Sequence, residues 1–199
     1  FSPPEKPSFK ALDMSDYTTK YRTQIRRSLK RCNVKKVNKD EIIKFGYSSY
    51  ASAFKSYNTF LTPLSQKDFV KELLPLGEDW EFWGIYNLDG LMIGYSQNRI
   101  VNDYCDYSIT KFHPDYLALR PSEALIYTMN QHYLNERNFR YVNNGTRSIS
   151  HKTNIQSYLI QKFKFRKAYC KLNIVYSKKI EVLINIIYPI RSLIRYLRM

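Results

Sequence analysis

Three cysteines in 199 residues, Cys32, Cys105 and Cys170, are too few and too widely spaced for a disulfide framework or a CxxC zinc site. A reducing, cytoplasmic compartment is the expectation. Histidine is as scarce: His113, His132 and His151 lie too far apart for an HxxxH ligand pair, so no metal is expected. Long apolar runs are missing too. The longest uncharged apolar stretch near an end, Val182 to Ile190, is broken by Asn185 and Pro189 and is too short to span a bilayer. No secretory signal is expected, because Phe1-Ser2-Pro3-Pro4-Glu5-Lys6-Pro7 has no apolar core.

Acidic residues are also in deficit, 17 against 32 basic, a net charge of +15. The deficit is local. Residues 1–40 hold 11 basic and 4 acidic side chains, 41–146 hold 9 and 12, and 147–199 hold 12 and 1. A protein that coats duplex nucleic acid spreads its cations over the folded surface, so basic ends around a slightly acidic middle weigh against that partner. An anionic cofactor or membrane surface fits as well. With 44% hydrophobic and 25% charged residues the composition is that of a globular chain, and at this length about 70% of the unfolded surface can be buried in one domain.

Periodicity orders the chain. From Thr18 to Cys32, Tyr21, Ile25 and Leu29 recur every four residues among Arg22, Arg26, Arg27, Lys30 and Arg31, the pattern of an amphipathic helix whose basic face is either solvated or an anion site. Asn38 caps a second helix that runs to about Phe54, and Ser65 opens a third that ends before Gly77. The period then changes to that of strands: Trp80–Tyr86, Leu91–Ile100 and Tyr104–Phe112, the first two joined by an Asp89-Gly90 hairpin turn. Pro121, well placed at a first helical position, opens a long helix over 121–137, with Ser122 and Glu123 favouring its start. A short strand at Phe139–Val142, a helix from about Thr153 to Phe163 and a strand from Ala168 to Tyr176 follow.

A strand ending in His113-Pro114-Asp115-Tyr116, then a loop, then a helix beginning Glu123-Ala124-Leu125-Ile126, resembles the cofactor segment of GNAT-type acyl-CoA transferases. The resemblance covers roughly 80–177. It implies an α/β (α+β) fold with a mixed, mainly antiparallel sheet flanked by helices, in which the Tyr104–Phe112 strand splays from the next one to make the acyl-pantetheine slot. The implied domain spans 1–177, with 1–37 as a basic lead-in and 178–199 as a basic amphipathic helical tail. The implied donor is acetyl-CoA or another acyl-CoA. Spacing from the motif places the family's glycine-rich diphosphate loop on Leu117 to Ser122, where Arg120 and Ser122 replace glycines and Pro121 removes an N–H donor. Two readings of this loop stay open: Arg120 pairs a phosphate directly, or the helix is merely capped and its arginine solvated.

The stretch Thr153 to Phe165 resembles the family's Asn-containing helix that ends in Gly-Phe, and Asn154 takes the place of that Asn. Aligned on Phe165, the usual proton-donating tyrosine is Ile160, and Tyr158 lies about 200° around the helix from it. With its tail, the segment is closest to the Fem-like branch, which includes peptidoglycan-bridge aminoacyl transferases. Those usually have two such domains, and this chain has length for one.

Acyl transfer to an amine needs a base for the incoming ammonium and donors for the oxyanion. The resemblance places the donors on the backbone of Ile109 to Phe112, with Ile109, Lys111, Phe112, Leu119, Arg120, Ser122 and Asn154 as cofactor contacts. Asp106 and His113 are the candidate catalytic residues, and Asn143 and Asn144 the candidate substrate contacts. Alternation along the strand sets Asp106 on the face of Tyr104, Ser108 and Thr110, lining a cleft or meeting solvent. His113 before a proline reads as a strand-end structural histidine or a base. Cys105 and Cys170 read as buried thiols.

After a break at Pro189, Ile190, Leu193, Ile194 and Leu197 form one stripe of a helix and Arg191, Arg195 and Arg198 the other side. That stripe packs on its own domain, on a sister subunit of a homodimer, or on an anionic membrane that would make the protein peripheral to it. Two functions therefore stand. One is an acyl-CoA-dependent N-acyltransferase acting on an amine-bearing small molecule or a cell-envelope precursor. The other is a lapsed GNAT-like binding module that holds RNA or phospholipid through its basic ends.

Overall fold

The computed structural model describes residues 10–57, 61–145, 153–169, 175 and 177–196, with side chains described as far as 188. Two compact units divide the chain, Phe1–Phe165 and Arg166–Met199.

The first unit is built on one five-stranded sheet in the order β1-β2-β3-β4-β5: β1 (Asn33–Val37), β2 (Trp80–Tyr86), β3 (Met92–Val101), β4 (Tyr104–Phe112) and β5 (Tyr141–Asn143). The first four pair antiparallel and β4–β5 pair parallel, so the sheet is mixed and mainly antiparallel as expected. Helices cover both faces. On one, α2 (Lys39–Lys55) and α3 (Gln66–Leu73) bury Ile42, Phe69 and Leu73 against Phe82, Met92 and Tyr95. On the other, α1 (Thr19–Arg31), α4 (Pro121–Asn130) and α5 (Ile155–Phe163) bury Ile25, Leu125, Met129 and Leu159 against Ile85, Ile93, Cys105 and Tyr107.

Local chemistry explains the helix starts. Asn38 accepts from Glu41 N–H and Ser65 from Asp68 N–H, each satisfying an orphan donor of the first turn. The long helix expected over 121–137 is α4 followed by a π-helical turn, Gln131–Glu136, inside which Tyr133 is fully buried and takes the indole N–H of Trp83 at 2.8 Å.

Three features depart from the sequence reading. Strand β1 was not anticipated; its Val34 and Val37 do not alternate, and it exists because it pairs with β2 over five residues. In β4 the register jumps from Asn98↔Tyr107 to Gln97↔Ile109, so Ser108 is the extra residue of a β-bulge. The simple alternation therefore fails beyond Tyr107: Asp106 shares its face with Ile109 and Lys111, while Tyr107, Thr110 and Phe112 face α4. In the second unit, α6 (Lys178–Tyr196) runs through Pro189 without a break. Proline keeps a helical φ there and forfeits one backbone hydrogen bond.

The stripe of Ile190, Leu193, Ile194 and Leu197 and the arginines at 191, 195 and 198 fall outside the described side chains, as do Cys170, His151 and most of the Ala168–Tyr176 strand. Ala168 and Tyr169 are not in a strand. Among the described residues no helix is long and apolar enough to cross a membrane.

Candidate active site

The β4–β5 ladder lasts three residue pairs, Tyr104↔Tyr141, Cys105↔Val142 and Asp106↔Asn143. Beyond Asp106, β4 continues through Phe112 with no described strand on that edge. His113 N–H donates to Ile93 C=O at 2.8 Å, which sets the antiparallel alternation with β3. By that alternation Lys111 and Ile109 face β3, and the N–H groups of Thr110 and Phe112 point to the open edge. The donors expected over Ile109 to Phe112 thus reduce to two.

Asp106 stands where the two strands part, beside Asn143. Among the described residues its Oδ1 is buried without a hydrogen-bond partner, and Oδ2 has Ser108 Oγ at 3.4 Å. Burial pushes its carboxyl above the usual aspartate value, against weaker opposing effects from Ser108 and Arg99. Beside it, the rings of Tyr104 and Tyr141 stack 4.7 Å apart. Asn143 Oδ1 accepts from Gly145 N–H, and Asn144 follows, half-buried.

At the far end of β4, Lys111 turns toward α2. Its ammonium lies 3.2 Å from Tyr57 Oη and over the rings of Tyr57, Phe54 and Tyr50, at 4.8, 5.0 and 5.9 Å. Phe112 points the other way, into the core that contains Cys105 and Tyr107. Next along the chain, His113 Nε2 lies 3.1 Å from Ser52 Oγ, and its Nδ1 accepts from Asp115 N–H at 3.4 Å. His113 is therefore held between α2 and the turn that follows, apart from Asp106.

That turn is a 3₁₀ segment, Pro114–Leu119, closed by Arg120 at φ 60°, ψ 48°, the left-handed conformation that a glycine would adopt freely. Arg120 caps α4 with its backbone: its C=O accepts from Ser28 Oγ of α1 at 2.6 Å and from Glu123 N–H at 3.1 Å. Ser28 Oγ in turn accepts from Ala124 N–H at 3.2 Å. Leu119 C=O faces Cys32 Sγ at 3.8 Å. The Arg120 guanidinium lies 3.3 Å from Glu123 Oε1, and Ser122 Oγ donates to Glu123 Oε2 at 2.7 Å. From α5, Tyr158 Oη reaches Ser122 Oγ at 3.1 Å and Lys162 Nζ reaches Glu123 Oε1 at 2.7 Å. Asn154, exposed, precedes α5 and makes no side-chain cap bond. The Tyr158 phenol is pushed up by burial and then by the Glu123 charge, which suits it to staying protonated in this cluster.

Apart from Asn154, before α5, the predicted residues thus gather in three places: Asp106 with Asn143 and Asn144 where β5 leaves the sheet, Ile109 to His113 along β4 and just past its end, and Leu119 to Ser122 at the start of α4. Sequence reasoning missed Ser28, Glu123 as an acceptor, and Lys162; Glu123 read only as a helix-start residue. A separate cleft of about 980 Å³ opens between α2 and the β2–β3 hairpin, lined by Lys35, Glu41, Lys44, Ser52, Tyr86 and Met92 among others, and none of the predicted site residues lines it.

A mixed five-stranded sheet whose fourth strand carries a bulge and an edge that no described strand covers, followed by a loop and a helix, is a GNAT-type fold, which FemX shares. A ribosomal-protein-alanine N-acetyltransferase from Brucella melitensis biovar Abortus 2308 matches with a TM-score of 0.54 at 14% identity, over 73% of this chain and 99% of that one. The aminoglycoside N-acetyltransferase AAC(6')-Iy, solved with CoA, matches at 0.51 and 12%, over 74% and 94%. FemX matches at 0.52 and 12%, over 73% of this chain and 53% of its own. At these identities the likeness is one of fold. No protein-family model matches the chain, and no curated protein matches it in sequence.

Proposed function

We propose that the chain is an N-acyltransferase that moves an acyl group from a thioester donor, acetyl-CoA or another acyl-CoA, to the amine of a small molecule or a cell-envelope precursor. The observation that carries this reading is the edge of β4 that no described strand covers, with two backbone N–H groups aimed at it, next to a half-buried carboxylate whose Oδ1 is buried and has no partner among the described residues. The thioester carbonyl lies along that edge, and Thr110 or Phe112 N–H, one of the two, donates to its oxygen as charge develops. Asp106 takes the proton of the incoming ammonium; its burial makes it a stronger base than a surface aspartate. The amine nitrogen then bonds to the carbonyl carbon, the C–S bond breaks, and the departing thiolate takes the second proton of the nitrogen, which leaves an amide and a free thiol. Asn143 and Asn144 hold polar groups of the acceptor. That one fold relative was solved with CoA supports the donor class, and the relatives' names supply two kinds of acceptor to try. A cytoplasmic site of action, with the basic ends meeting an anionic membrane, accords with this chemistry.

The test is thiol release from acetyl-CoA in the presence of an aminoglycoside, of a peptide with N-terminal alanine, and of a wider amine panel. Amine-dependent release that disappears in Asp106→Asn is expected. No release with any amine would refute the reading. One observation favours the lapsed cofactor loop of the other function, a binding module for RNA or phospholipid: at the start of α4 the cations Arg120 and Lys162 are already paired with Glu123, which leaves anion binding to the basic ends.

A further inference from the structure

The loop that the family resemblance assigns to a donor diphosphate contains an anion of its own. Glu123 is 4% exposed, and its carboxylate takes Lys162 Nζ and Ser122 Oγ at 2.7 Å each and Arg120 Nη1 at 3.3 Å. Most of the other donors of the first turn are also engaged or missing. Pro121 has no N–H, Glu123 N–H serves Arg120 C=O, and Ala124 N–H serves Ser28 Oγ. A helix N-terminus with two nearby cations is a place for negative charge, and a buried side chain from the third helical position supplies it.

We propose that Glu123 occupies the position a donor diphosphate would take at the start of α4, so that the chain selects its donor by the acyl-pantetheine arm and not by the nucleotide diphosphate. The proposal rests on the acyltransferase reading. A diphosphate approaching this loop meets a carboxylate of like charge whose counter-ion, Lys162, is itself shielded from solvent. Arg120, with its side chain 47% exposed, is the one cation of the cluster that can turn outward without uncovering Glu123. The open edge of β4, which receives the thioester, is untouched by this arrangement. Donors that carry the thioester arm without a diphosphate, such as S-acetyl-pantetheine, therefore retain what the site recognises.

Two measurements on the full chain test this. In the first, inorganic pyrophosphate is added during thermal unfolding of the wild type and of Glu123→Ala. At about 10 mM it should leave the wild-type Tm unchanged and raise that of the variant by several degrees, because removing the carboxylate exposes Lys162 and Arg120 to an anion. Equal stabilisation of both proteins, or no rescue of the variant, overturns the proposal. Should Glu123→Ala not fold, Glu123→Gln, neutral and nearly the same shape, takes its place with the same readout. In the second, acetyl-CoA and S-acetyl-pantetheine are compared as donors. Values of kcat/KM within about threefold are expected, and a preference of roughly a hundredfold for acetyl-CoA overturns the proposal. Absence of turnover with both donors defeats the acyltransferase reading, while the pyrophosphate measurement still decides whether Glu123 holds the diphosphate position.

Discussion

Lys162 Nζ lies 2.7 Å from Glu123 Oε1 with both side chains nearly out of solvent, 10% and 5% exposed, and the pair fastens α5 to the start of α4 across 39 residues of chain. Removing one partner of such a pair leaves an uncompensated buried charge, which costs about 3–5 kcal/mol. Lys162→Met is therefore expected to destabilise the protein by that order in urea unfolding. Arg120→Ala, at the same carboxylate but half exposed, should cost under about 1 kcal/mol. Comparable losses from the two variants would show that Lys162 is not the principal partner.

The same carboxylate sets an acid limit. Burial alone would raise the Glu123 value, but the bonds from Lys162 and Ser122 outweigh it and hold the group below the ordinary 4.5. A folded-state value below the unfolded one contributes stability that is present above the unfolded value and lost as pH falls through the folded one. Unfolding free energy should thus decline as pH drops below 4.5, and the decline should be shallower in Lys162→Met. Denaturant titrations at a series of pH values read this directly; identical slopes in both proteins would assign the acid sensitivity elsewhere.

Asp106 has the opposite sign. Its carboxyl is raised by burial, so the folded state favours the protonated form, and that contribution is lost as pH rises through the folded value. At neutral pH the ionised side chain is a cost to the fold. Asp106→Asn is expected to keep or raise the Tm while lowering acyl transfer by roughly 100- to 10,000-fold, the range for a general base. A variant that is both less stable and fully active would remove Asp106 from the chemistry.

Ser108 offers a way to separate fold from site. Because it is the extra residue of the bulge, deleting it leaves Cys105, Tyr107, Thr110 and Phe112 on the core face and Asp106, Ile109 and Lys111 on the other. The deletion should fold with stability within about 1–2 kcal/mol of the wild type yet lose most acyl transfer, since the open edge no longer bends. Circular dichroism and thiol release together decide it.

Gly94 tests how tightly the end of β4 is held. A Cβ there would meet Lys111 O and a Phe112 ring carbon at 2.7 Å and Ile85 Cγ2 at 2.9 Å. Backbone stands in the way, so Gly94→Ala should cost about 1–3 kcal/mol and loosen the strand bearing the proposed oxyanion donors. A neutral effect on urea unfolding would mean the two strands have slack here.

Much of this was legible in the sequence wherever the signal is local. Strands β2 and β4 have the bounds that alternation gave, and Asn38, Ser65 and Pro121 start the helices they were expected to start. What escaped depends on partners far away in the chain. Strand β1, with lysines at 35 and 36 between valines three apart, is a strand only because Trp83 and Gly84 lie opposite those lysines. The bulge has no glycine to mark it, and it undid the face on which Asp106 was placed. The loop substitutions at Arg120 and Ser122 were visible, but the carboxylate they serve looked like an ordinary helix-start residue, because its buried partner sits on another helix.

Strand β5 is joined to the sheet by three parallel pairs and one tyrosine stack, whereas β2, β3 and β4 pair along most of their lengths. Strands held so unequally do not open together. The amides of β5 should exchange with deuterated solvent through a local opening well below the free energy of global unfolding, while those of β3 wait for the whole molecule. The sheet would then breathe at the seam beside Asp106, on timescales that hydrogen exchange can resolve, before any part of its core is exposed.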